Sequence, residues 1–217
     1  ALSVVDGQRS LALIHLSDKK GRVVRPREGD DVINFWWASP TRVVYTVGEH
    51  VGGYDIPLST GELFGVNADG GNPLLLYGYR KGGSSTGSLT RQNGPTYGTA
   101  QFIAAIPGDP YHALVSISSW EGAGNEGALS EAYRMDLRNG DIAHIINAPG
   151  RNMTFLADHH GHIRFVYGED VNGNAKVYQH PIDGDGWTEM PEVEQSRSYP
   201  WIFAADDSIA YFTCTPK

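Results

Sequence analysis

The sequence predicts an all-β chain built from a repeated four-strand unit, and three observations predict it. First, Ile33 to His50 (INFWWASPTRVVYTVGEH) reads as strand, Ser-Pro turn, strand, with apolar residues dense on both sides of the turn and no helical period. Second, the same outline returns at Gln101 to Ser118, Met153 to Glu169 and Trp201 to Cys214, with a weaker copy at Ser3 to Leu16. Third, a different kind of segment follows the full copies, at 61–76, 130–146 and 175–190, each placing an aromatic (Phe64, Tyr133, Tyr178) before a Gly-containing turn and a further strand.

Two rulers measure the repeat. The turns at Ser39, Gly108, Asp158 and Asp206 are 69, 50 and 48 residues apart, and the three aromatics are 69 and 45 apart. Both give a unit of roughly 45 to 50 residues with an insertion of about 20 in the first full copy, and two hairpins per unit at that period is the pattern of a β-propeller blade. Leucine-rich and helical repeats are shorter or carry helical patterning. Blade-like units are expected at 1–31, 32–99, 100–150, 151–198 and 199–217, the last incomplete. With about 4 to 5 blades or part-blades of antiparallel strands, the preferred reading is a piece of a larger propeller. A small ring closed by combining the two terminal pieces is the alternative.

In chain order, Asp6-Gly7 between apolar runs predicts a hairpin over residues 3–18. Residues 19–31 are polar around Val23-Val24 and suit an outer strand and linker, and Pro26 keeps the segment off a central position. From Val32 the main unit begins. Val43, Tyr45 and Val47 share one strand face and Val44 and Thr46 the other, so both faces are expected to be covered, as in sheets stacked face to face. Ile33, Phe35 and Trp37 against Trp36 carry the same message, and Trp37 is expected to be buried between units. The insertion, Tyr77 to Thr99, is rich in Gly, Ser and Thr, so it is expected to move or to lie against a partner surface. Asn125 to Leu137 is the best helical competitor, but the repeat alignment asks for a strand from Ser130. Residues 49–60 and 120–129 form the other long loops, where function commonly concentrates.

Composition narrows the partners. There are 17 basic and 25 acidic residues for a net charge of −8, which argues against a nucleic-acid backbone as ligand. Cys214 is the only cysteine, so an internal disulfide and a multi-cysteine zinc site are both excluded. No window reaches the roughly 18 to 20 apolar residues of a membrane-spanning helix. Ala1 opens the chain with no charged-then-apolar leader, as in a processed product or an excised piece.

Several residue groups carry possible chemistry. Gly83-Ser84-Ser85-Thr86-Gly87 matches G-x-S-x-G, yet its flanks offer neither the strand nor the helix that a nucleophile elbow needs, so Ser85 is read as a loop residue. Asp158-His159-His160-Gly161-His162 is the densest cluster, with His160 and His162 the metal candidates. A metal needs further ligands from elsewhere, and the register places this segment at a hairpin turn, so turn residues are the preferred reading. Glu169 to Asn174 and Asp183 to Gly186 have calcium-loop composition but not EF-hand spacing, and hairpin turns explain both. Asp55, Glu62, Asp109 and Glu121 could serve glycoside cleavage, though no two are paired by sequence. Trp36-Trp37 is read as core packing in preference to a sugar-stacking platform.

The tracts INFWWASPTRVVYTVGE, GELFGVNADGGN and EAYRMDLRNGD resemble the N-terminal propeller of the prolyl oligopeptidase family of serine peptidases, in the manner of bacterial acylaminoacyl-peptidase or dipeptidyl-peptidase relatives. The resemblance covers most of residues 1–217, although such blade patterns are shared with TolB-like binding propellers. It implies a part that caps an α/β-hydrolase domain and filters peptide substrates without carrying out the chemistry. No cofactor and no catalytic residue follow from it, the paired-Glu segment of the dipeptidyl peptidases is absent, and bacterial cytoplasm and periplasm both remain open. A stand-alone binding propeller and, more remotely, a propeller glycosidase are the alternatives.

Overall fold

A strand can bury every side chain only if both faces of its sheet are covered, and Arg42 to Gly48 is buried at every position. The computed structural model describes residues 1–53, 55–80, 97–121 and 123–214, and it shows what provides that cover. Five antiparallel sheets follow one another along the described chain, each a simple meander. The first holds β1 (Leu2–Val5), β2 (Gln8–Ile14) and β3 (Gly21–Val24). The second holds β4 (Asp30–Ser39), β5 (Arg42–Glu49), β6 (Leu58–Asn67) and β7 (Leu74–Tyr77). The third holds β8 (Gly98–Ala105), β9 (His112–Ser119), β10 (Leu129–Asp136) and β11 (Ile142–Arg151). The fourth holds β12 (Met153–Ala157), β13 (Ile163–Glu169), β14 (Ala175–Gln179) and the two-residue β15 (Thr188–Glu189), and the fifth pairs β16 (Ser198–Phe203) with β17 (Ala210–Cys214).

The turns fall where the residues ask for them. Asp6 and Gly7 take φ of 53° and 80°, the pair of positive values that a two-residue hairpin turn requires. Ser39-Pro40, Gly108, Asp158 and Asp206 all lie in the turn between the first and second strands of their sheets, and Phe64, Tyr133 and Tyr178 all lie on third strands. The strand expected from Ser130 is β10, preceded by a single 3-10 turn at Gly124–Glu126. A five-residue helix, α1 (Pro191–Gln195), was not anticipated; Pro191 starts it and Glu192 and Glu194 stand in its first turn. No helix among the described residues is long and apolar enough to cross a membrane.

Adjacent sheets pack face to face over apolar layers. Val43, Tyr45 and Val47 of β5 join Leu11, Leu13 and Val24 of the first sheet in one core, and Val44 joins Leu63, Val115, Ile117 and Met135 in the next. A third layer between the third and fourth sheets contains Leu114, Ala132, Phe155 and Val166. Two contacts recur across these seams. The third strand of a sheet meets the first strand of the next, as β6 meets β8 and β10 meets β12. The first strands also meet in succession, β4 with β8, β8 with β12 and β12 with β16. Trp36 on β4 and Phe102 on β8 mark one such meeting, their rings stacked at 5.6 Å and 24°.

Trp37 departs from expectation. It is 54% exposed, on the rim of a cavity that it shares with Leu13, Ile14 and Phe35. Two register shifts in the β4–β5 pairing, at Val32/Asn34 and Trp37/Ser39, break the simple alternation from which its burial was inferred. Trp37 pairs with Val43, on the face turned toward the first sheet. There β4 meets β2, the middle strand, instead of a first strand like the one that covers Trp36. Of the long insertion, residues 81–96 lie outside the described residues, and Ser85 and its G-x-S-x-G lie among them.

Candidate functional site

Connected meanders divide the loops between two edges of the stack. One edge carries the turns within each hairpin, including Ser39-Pro40, Gly108, 158–162 and 206–209; the other carries the connections 50–57, 120–128 and 170–174.

On the hairpin edge, the turns of the fourth and fifth sheets meet. Asp207, in the left-handed region at φ 56°, turns its carboxylate toward the neighbouring turn. Its Oδ1 accepts the His159 ring Nδ1–H at 2.7 Å and its Oδ2 accepts that of His160, also at 2.7 Å, while the His159 backbone N–H reaches both oxygens at 3.1 Å. Burial pushes the Asp207 carboxyl up, but the backbone N–H of His159 and the two imidazoles outweigh it and hold the carboxyl down at about 2. Asp158 lies beneath, its side chain 1% exposed. Its Oδ1 accepts the backbone N–H of His160 and His162 at 3.0 and 2.8 Å. Its Oδ2 meets only longer contacts, Arg164 Nη1 at 3.3 Å and His162 Nδ1 at 3.4 Å. Among the described residues, one group brings three potential ligand atoms of different residues within 4.8 Å of one another: Asp158, His160 and Asp207. His160 and His162 occupy the turn before β13, as the repeat register predicts, with rings stacked at 6.3 Å.

Beside this seam a cavity of about 560 Å³ opens between the third and fourth sheets, lined by Leu114, Ile145, Ile163, His162, His180 and Trp187. Trp187 is fixed by donating its indole N–H to the Asn147 carbonyl at 2.8 Å and by edge contact with His180 at 5.2 Å. The lining is mostly apolar, with Asn147, His162, His180 and Asp185 as its polar groups.

The other candidates have structural employment. Glu62 is fully buried on β6 and paired by both oxygens with Arg80, whose Nη1 also reaches Asp30 at 3.1 Å. The hydrogen bond to Glu62 raises the Arg80 pKa further, and burial raises that of Asp30. Asp109 caps its own turn, accepting from His112 Nδ1 at 2.8 Å and Arg134 at 2.6 Å. Asp55 and Glu121 are exposed in separate connections, so the four carboxylates considered for glycoside cleavage sit on different elements. Asp170 is engaged by its own turn, accepting from the N–H groups of Asn172 and Asn174 at 2.8 and 2.9 Å, and Asp183 to Gly186 is an exposed turn beside the cavity. Trp36 packs in the core while Trp37 stays half exposed, so the two do not form one platform.

Ser17, His15 and Asp18 have the composition of a catalytic triad, but Ser17 Oγ and Asp18 Oδ1 both meet the same ring nitrogen, Nδ1, at 3.2 and 2.9 Å. A relay needs the two partners on opposite nitrogens, so this group is a turn and not a nucleophile. The sequence missed Asp207 as the partner of the histidine turn. The repeat register held the signal, because Asp206-Asp207 occupies the turn equivalent to Asp158 one unit later. No protein-family model, no curated protein and no solved structure matches the chain.

Proposed function

We propose that the chain is a non-catalytic arc of a β-propeller that selects peptides for an α/β-hydrolase domain, as in serine peptidases of the prolyl oligopeptidase family. The observation that carries the propeller reading is the succession of first strands, β4 against β8, β8 against β12 and β12 against β16, with third strands turned to the next sheet. Inner strands that meet in order around an axis are what a propeller requires. In that pattern β2 corresponds to a third strand, because it meets β4 as β6 meets β8. Then β1 to β3 are the second to fourth strands of their blade and β16-β17 are the first two of theirs. Together they would give five strands and not four, which favours an arc of a larger ring over closure of the two terminal sheets into one blade. Half-exposed Trp37, and Trp201 at 67% and Ile202 at 46% on β16, are apolar surface of the kind that further blades cover.

The peptidase reading rests on the resemblance of WASPTRVVYTV and GELFGVNADG to blades of that family. The cavity at Trp187, wide enough for a side chain, supports a role in contacting peptides. The coding sequence tests it. An in-frame, strand-flanked G-x-S-x-G after Lys217 is the expected result. A stop codon directly after Lys217 would sink the peptidase reading and leave a stand-alone binding propeller.

A further inference from the structure

We propose that Asp158, His160 and Asp207 form a site for one divalent transition-metal ion of the zinc class, which fastens the fourth sheet to the fifth. The three residues come from two hairpin turns 47 to 49 residues apart in sequence, so the fold, not local composition, assembles them. Two carboxylate oxygens and one imidazole nitrogen are a ligand set that zinc accepts, with water completing the shell on the exposed side.

The burial of the two acids points the same way. The Asp158 side chain is 1% exposed and that of Asp207 is 7% exposed. Asp158 Oδ2 has only the two longest contacts in the cluster, and Arg164 engages it through Nη1 alone, while Arg164 Nε has no hydrogen-bond partner. A nearly buried carboxylate oxygen whose two contacts are as long as 3.3 and 3.4 Å has acceptor capacity left for a cation. On the other acid, the His159 ring holds Oδ1 of Asp207 and its backbone N–H bridges both oxygens, which fixes the carboxylate with Oδ2 turned toward His160, where the ion would sit. Hydrogen bonds that orient a metal-bound carboxylate are a regular feature of such sites.

The required movement is small. Ligands about 2.1 Å from a metal lie roughly 3.0 to 3.4 Å from one another, whereas His160 Nδ1 and Asp207 Oδ2 are 2.7 Å apart. The His160 side chain is 67% exposed and can rotate outward by the difference. Binding through Nδ1 moves the ring proton to Nε2 of the same exposed side chain, so no buried group need be protonated. The imidazole distinguishes this site from a calcium loop, since calcium takes oxygen ligands almost exclusively.

Equilibrium dialysis of the tag-free chain against Zn²⁺, read by elemental analysis, tests this, with titration calorimetry for affinity. One Zn²⁺ per chain is expected, with Ca²⁺ failing to displace it, and chelation should lower the melting temperature. His160→Ala should weaken binding by about tenfold or more and abolish the chelator effect on melting. Asp207→Asn should weaken binding as well; because it also disturbs the His159 contacts, exposed His160 supplies the variant that leaves folding intact. His15→Ala, at the exposed His15–Asp18 pair, controls for adventitious histidine binding and should bind as wild type. Absence of bound Zn²⁺, equal displacement by Ca²⁺, or wild-type binding by His160→Ala would overturn the proposal.

Discussion

Leu63 and Trp37 set burial against size. Leu63 is fully buried in the layer between the second and third sheets, beside Val44 and Ile117, whereas Trp37 is 54% exposed despite its larger ring. Leu→Ala at a closed core site costs about 2 to 5 kcal/mol, and a fully buried Trp→Ala about 3 to 5 kcal/mol. With only about half of Trp37 withdrawn from water, its truncation should cost about 2 kcal/mol on the same scale. Leu63→Ala should therefore be the more damaging change, near 3 kcal/mol, because the surrounding strands are held on both faces and cannot collapse into the space. At about 2 to 4 °C per kcal/mol for a chain of this size, the melting temperature should fall by roughly 6 to 12 °C for Leu63→Ala and by roughly 4 to 8 °C for Trp37→Ala. Urea unfolding followed by circular dichroism, with unchanged slope, gives the comparison. If Trp37→Ala proves as destabilising as Leu63→Ala or more so, something covers the Trp37 face and the description of the first seam is wrong.

Other consequences follow from the same structure. Glu62→Ala takes from Arg80 the carboxylate that holds it through both oxygens, leaving it Asp30 alone, and should destabilise by about 3 to 5 kcal/mol, as breaking a buried ion pair does; a loss below about 1 kcal/mol by the same denaturation assay would mean that the pair is hydrated. Gly61→Ala should also destabilise, by about 1 to 3 kcal/mol, because Gly61 has φ +75° and an added Cβ would stand 2.6 Å from the Gly98 carbonyl oxygen, where β6 crosses β8; a melting temperature equal to wild type would contradict that close approach. Asp109 is held well below its ordinary 3.8, first by the hydrogen bond from His112 and then by that from Arg134. Its folded pKa lies below the unfolded one, so its stabilisation is complete above about pH 5 and is lost as pH falls through 4 and below. Asp109→Asn should accordingly flatten the acid limb of a stability–pH curve, and an unchanged limb would argue against the His112–Arg134 contacts.

Much of the architecture was legible because turns and apolar periods are local signals. Ser39, Gly108, Asp158 and Asp206 marked first-hairpin turns, and Phe64, Tyr133 and Tyr178 marked third strands, without any knowledge of what packed against them. Where a residue's environment depended on a second segment, the signal was weaker. The bulges in β4 that help to expose Trp37 arise from pairing with β5, and period-two counting cannot detect them. Glu62 stands in an apolar run, and only the fold reveals that Arg80, which it shares with Asp30, neutralises it. The histidine turn was visible as a cluster, but its acid partner was a full repeat away; superimposing the turns of successive units would have named Asp207. The short α1 escaped because five residues give no helical period to read.

The first strands of successive sheets lie against one another, and a double-mutant cycle between Trp36 and Phe102 measures that directly. The two residues are 66 apart in sequence and share no strand pairing, so they can interact only if β4 and β8 meet across the seam. Stability measured for Trp36→Leu, Phe102→Leu and the double variant should yield a coupling of about 1 kcal/mol, the scale of a stacked aromatic pair. Strictly additive losses would mean that the rings do not touch, and the ordered succession of first strands would fall with them.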